Sequence, residues 1–75
     1  MARATRYWVV ERNADGDSVG DFHSYRSTIE AYRAARVQRL NPQDPTAAIV
    51  EVGRIVNFEE ANEFTQVLRV SKVVR

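Results

Sequence analysis

Ser27-Thr-Ile-Glu30-Ala-Tyr-Arg-Ala-Ala-Arg-Val-Gln-Arg-Leu40-Asn-Pro42 is the stretch that decides the fold. A serine followed three residues later by glutamate has the form of a capping box, in which the hydroxyl accepts from a first-turn amide. Ala31, Ala34 and Ala35 favour the helix, and neither glycine nor proline interrupts it. Asn41-Pro42 ends it, because the residue before a proline avoids the α region. The spacing predicts one helix over Thr28–Leu40, and the rest of the chain must be arranged around it.

Upstream, Arg6-Tyr-Trp-Val-Val-Glu-Arg12 is aromatic and β-branched, which suits a pleated, half-buried strand. Asn13-Ala-Asp-Gly-Asp-Ser18 follows, and Asp15-Gly16 signals a turn because glycine accepts positive φ. Val19 to Ser24 then reads as the returning strand of a hairpin, with Gly20 marking a bulge or a close backbone approach. Downstream, Thr46 to Val56 reads as a third strand, bent or bulged at Gly53. Asn57-Phe-Glu-Glu60 is a second capping signal and predicts a short helical turn through Glu63. The tail from Phe64 to Val74 mixes periods of 2 and 3.6; its β-branched content favours a fourth strand over an amphipathic helix.

The expectation is therefore a single compact domain, residues 1–75, of the α+β class. Its order is β-β-α-β-(short α)-β, a small antiparallel sheet with one long helix packed on one face. The expected core is Trp8, Val10, Phe22, Ile29, Tyr32, Ala35, Val50, Val52, Ile55, Phe58, Leu68 and Val70. Two helix packings compete. If the alanine side faces the sheet, Arg33, Arg36 and Arg39 form an exposed basic stripe studded with apolar residues. If Ile29, Tyr32 and Leu40 face inward, the arginines snorkel at the edges of the core. The second packing buries larger side chains and is the expected one.

Seventy-five residues with 44% hydrophobic and 28% charged side chains describe a folded chain rather than a disordered one. No apolar run approaches the ~18 residues of a membrane span. No basic-then-apolar leader opens the chain, so the expected compartment is the cytoplasm. Zero cysteines exclude disulfides, a thiol nucleophile and cysteine-held metal. The net charge of +1 hides blocks that alternate in sign along the chain. Arginines 3, 6 and 12 precede Asp15, Asp17 and Asp21; Arg26, Arg33, Arg36 and Arg39 then precede a stretch holding Asp44, Glu51, Glu59, Glu60 and Glu63. Arg69, Lys72 and Arg75 close the sequence. One reading of this pattern is internal complementarity, and the other is a bipolar surface that steers a charged macromolecule.

Catalytic and metal chemistry finds little support. His23 is the single histidine, two residues from Asp21, and two ligands do not make a metal site. Asn13 to Asp21 has oxygen residues at alternate positions, but Ser18 and Ser24 stand where a calcium loop needs glycine and glutamate. Gly16, Gly20 and Gly53 form no phosphate-binding loop. No metal and no cofactor are expected, and neither is an enzymatic activity.

Tyr7-Trp-Val-Val, Asp15-Gly, Gly20-Asp-Phe-His-Ser-Tyr-Arg-Ser27, Glu30-Ala31 and Ala34-Ala35, taken together, resemble two patterns. One is the three-stranded arm-type DNA-binding domain of tyrosine integrases, from which the acidic hairpin departs. The other is the small phage-encoded anti-CRISPR proteins, similar in size and layout across most of the chain. The second resemblance implies a non-enzymatic inhibitor that docks on a larger protein or nucleoprotein complex. Asp15, Asp17, Asp21, Glu59, Glu60 and Glu63 would then sit in a groove that normally holds phosphates. The first implies a DNA-binding domain, with Arg33, Arg36, Arg39, Arg69 and Lys72 as its basic face. Direct nucleic-acid binding is the less favoured expectation, no membrane partner is expected, and a homodimer stays open.

Overall fold

The computed structural model describes residues 5–56 and 64–74. The elements are β1 (Thr5–Asn13), β2 (Ser18–Tyr25), α1 (Thr28–Leu40), β3 (Ala47–Val56) and β4 (Phe64–Lys72). All neighbouring strands are antiparallel, in the spatial order β2-β1-β3-β4. The most buried strands, β1 and β3, take the two central places, while β2 and β4 form the edges. Tyr7, Val9 and Glu11 pair with Arg54, Val52 and Val50, and alternation places this set on the face beneath α1. Val9, Val50 and Val52 meet Ala31 and Ala35 there, and these five make one buried cluster.

The strands correct the expected fold class. Four strands of nine, eight, ten and nine residues dominate a single helix of 13. A helix of that length spans about 20 Å, and α1 lies mainly over β1 and β3, so the sheet and not the helix carries the architecture. The short helical turn expected at Asn57–Glu63 falls outside the described residues.

The helix packing is corrected as well. Ala31 and Ala35 are buried against the sheet, whereas Ile29 and Leu40, expected inside, are 68% and 58% exposed. The reason lies in the opposite layer. The valines of β1 and β3, with Tyr7 and Tyr25 beside them, fill the space between layers, so α1 approaches through its smallest residues. Both helix ends are also tied. Ser27 Oγ accepts from the Glu30 amide at 3.2 Å, as the capping box predicts. Beyond the C-terminal end, the Gln43 and Asp44 amides donate to the two oxygens of Glu11 at 2.8 and 3.0 Å. Glu11 is fully buried and clamps the α1–β3 loop, a role its place in a charged strand end does not announce.

Trp8, Val10, Ala35, Val50 and Val52 are core residues, as expected. Phe22 and Val70 are exposed instead, and Tyr32, Ile55 and Leu68 are half-buried. Phe58 lies outside the described residues. The pairing of Val9 with His23 and of Glu11 with Val19 leaves β2 bulged opposite Val10. Gly20 sits in that bulge at φ +70, and the Gln43 side chain approaches it closely. Phe22 is thereby turned to the face away from α1, where it stacks on Trp8 with ring centroids 6.3 Å apart. Gly53 answers to the same ring: a Cβ there would overlap the Trp8 indole, and the β3–β4 register shifts beside it.

Candidate functional site

With the alanines turned inward, the opposite side of α1 presents Ile29, Arg33, Arg36 and Leu40. Their spacings of four, three and four residues place them in one stripe along the helix. Val37 flanks it and is 57% exposed. Three apolar side chains thus face solvent on a helix whose Ala31 and Ala35 are buried, with two arginines among them.

Toward β4 the helix surface falls into a cleft of about 440 Å³, lined by Tyr32, Arg33, Ala35, Arg36, Arg39, Arg69 and Ser71. The cleft exists because α1 covers the two central strands and stops short of the β4 edge. The Arg69 guanidinium carbon lies 5.7 Å from the centre of the Tyr32 ring, a cation–π contact. Arg39 Nε donates to the Lys72 carbonyl at 3.1 Å, and the Val74 amide donates to the Arg39 carbonyl at 2.9 Å. These bonds tie the chain after β4 to the end of the helix. No carboxylate among the described residues lines the cleft. Among the described residues, the salt bridge found is Arg12 with Glu51, at 3.0 Å, on another part of the molecule.

The structure therefore gathers Arg33, Arg36, Arg39 and Arg69 of the expected basic face around one concavity. Lys72 is separated from them. It pairs with Ile49, and strand alternation sends its side chain to the opposite side of β4 from Arg69 and Ser71. Its contribution is the carbonyl that holds Arg39. Tyr32 and Ser71 complete the lining; Tyr32, expected in the core, is half-buried and packs against the core cluster as well as lining the cleft, and Ser71 carries no local signal.

Of the acidic candidates, Asp15 and Asp17 are exposed in the β1–β2 turn, where both amides donate to Asn13 Oδ1 at 3.0 Å. Gly16 supplies the positive φ of +87 that the turn requires. Arg12 reaches into the same turn, donating to the Gly16 carbonyl at 3.0 Å. Asp21 is exposed in the β2 bulge, its amide donating to Gln43 Oε1 at 3.0 Å. Gln43 Nε2 lies 2.8 Å from His23 Nε2, a contact that needs the lone pair of that ring nitrogen. Glu59, Glu60 and Glu63 lie outside the described residues. Asp44, near Asp21 through the Gln43 loop, has its carboxyl held below the usual range, first by the Thr46 hydroxyl and then by the Thr46 amide. Asp15, Asp17, Asp21 and Asp44 thus collect around the β1–β2 turn and the α1–β3 loop, and none of the four lines the arginine cleft.

Among the described residues no group of three or more His, Cys, Asp or Glu is placed to hold a metal ion. No helix among them is long and apolar enough to cross a membrane. In comparisons with protein-family models, curated proteins and solved structures, nothing matches this chain.

Proposed function

We propose that the chain is a non-enzymatic binding module that docks through the outer face of α1 onto a larger protein or nucleoprotein complex. The observation that carries this reading is the solvent-facing stripe of Ile29, Arg33, Arg36 and Leu40, with Val37 at its side. Fully burying one such aliphatic side chain contributes about 1.5–3 kcal/mol, so three of them supply an anchor for a helix-in-groove contact. The two interleaved arginines lack a carboxylate within ion-pair distance among the described residues, and they select a groove with acidic edges. The acidic groups of the β1–β2 turn and the α1–β3 loop repel a nucleic-acid backbone, which favours a protein surface as the contacted partner.

Within this reading the chain acts in the cytoplasm as a small inhibitor, of the anti-CRISPR kind that its size and layout resemble. It occupies a groove of a nucleic-acid-handling complex. The test places a photo-crosslinking residue at Leu40, or at Asp15 as a control, in the native host. The expected result is one protein crosslinked from position 40, through a peptide that is apolar with flanking acids, and lost in an Ile29→Gln, Arg33→Glu variant of unchanged circular dichroism. Crosslinking from position 15 alone, or to nucleic acid alone, overturns the reading.

A further inference from the structure

The cleft beside the stripe has a chemistry of its own. Four cationic side chains from two different elements line a volume of about 440 Å³, and no anionic side chain among the described residues offsets them. Bringing guanidinium groups together costs Coulomb repulsion, which an anion of matching multiplicity relieves. A protein interface that needed only one or two acid contacts would not require a recess. The volume lies within the range of small-molecule sites, about 300–1,000 Å³.

We propose that this cleft is a binding site for a compact polyphosphate group, free or as the phosphate chain of a nucleoside di- or triphosphate. Arginine forks match phosphate oxygens in pairs. Arg39 is already oriented, because its Nε is engaged by the Lys72 carbonyl and its terminal nitrogens remain for a ligand. Arg69 rests on the Tyr32 ring, which aligns its plane without consuming the donors on its edge. The Ser71 hydroxyl lines the same wall as a further donor. That ring contact also occupies a face of Tyr32, so the phosphates rather than a stacked base supply the recognition. The cleft shares Arg33 and Arg36 with the docking stripe, so the two sites are told apart at the residues they do not share, Arg39 and Arg69 in the cleft and Ile29 and Leu40 in the stripe.

The test is isothermal titration of the full chain with tripolyphosphate, with a nucleoside triphosphate, and with citrate at equal ionic strength. A ten-nucleotide deoxythymidine strand is the fourth ligand. The expected result is saturable one-to-one binding of the first two, with citrate much weaker. Arg69→Gln and Arg39→Gln should each weaken it about tenfold to a hundredfold, the size of one lost charge-assisted contact. Arg69 is exposed, so its variant remains informative should Arg39→Gln disturb the fold. Arg54→Gln, outside the cleft, and Leu40→Gln, in the stripe, should leave the affinity unchanged. Equal loss on Arg54→Gln, equal binding of citrate, or tight binding of the oligonucleotide alone overturns the proposal. Tripolyphosphate binding together with no protein crosslinked from position 40 while Ile29 and Arg33 are intact would overturn the docking reading only.

Discussion

Replacing Gly53 by alanine should destabilise this protein, although the same change in an unstrained strand stabilises it by about 0.4–1 kcal/mol through the unfolded chain. The φ of Gly53 is not positive, so the backbone accepts a side chain. The obstacle is the Trp8 indole, which crosses the glycine so closely that a Cβ would lie among the ring atoms. Trp8 is only 6% exposed and stacks on Phe22, so the ring can yield only by leaving its place. Overpacking of this kind costs about 1–3 kcal/mol, and complete loss of the ring's packing sets a ceiling of about 3–5 kcal/mol. A net loss of about 1–4 kcal/mol is a large part of the total stability of a small domain, about 5–15 kcal/mol. Each kcal/mol lowers the thermal midpoint by about 4–8 °C at this size. The decisive assay is a double-mutant cycle followed by urea unfolding and circular dichroism. In a Trp8→Leu background the steric conflict is gone, and Gly53→Ala should become neutral or stabilising. The coupling between the two sites should then reach about 1–3 kcal/mol. Strictly additive effects, or a raised midpoint for Gly53→Ala alone, would refute the placement of the ring on the glycine.

Two further perturbations probe the loop that closes the helix onto the sheet. Glu11→Ala should cost about 2–6 kcal/mol, because two loop amides lose their acceptor at about 1–3 kcal/mol each. Amide hydrogen exchange should show Gln43 and Asp44 losing protection ahead of the β1–β3 ladder, and uniform loss would count against the clamp. The lowered folded-state pKa of Asp44 means that the unfolded chain takes up its proton first as pH falls. The stabilisation from this group is therefore complete above its ordinary value of 3.8 and disappears as pH drops through the lower folded value. Thr46→Val removes the hydroxyl, the larger cause, and a carboxyl-detected NMR titration should show Asp44 moving up toward 3.8; an unmoved titration would place the cause elsewhere.

What the sequence by itself determined is local. The helix runs over Thr28–Leu40 because a capping serine, uninterrupted helix formers and a following proline act within a turn or two of themselves. The Asp15-Gly16 turn and the bulge at Gly20 follow from glycine's access to positive φ. The tail becomes a strand because β-branched side chains pack well on a sheet that already has an apolar neighbour in β3. Tertiary structure decided everything that depends on partners distant in sequence. Which side of α1 faces inward was set by the bulk of Val9, Val50 and Val52 across the layer, not by the size of the helix's own apolar residues. Phe22 was expelled by a bulge opposite Val10, and Glu11 was buried by a loop more than thirty residues away. The arginine cleft joins Arg69 to Arg36 and Arg39 only because β4 pairs with β3 at the edge that α1 leaves uncovered. Charge order along the chain could name these arginines, but strand order alone could bring them together.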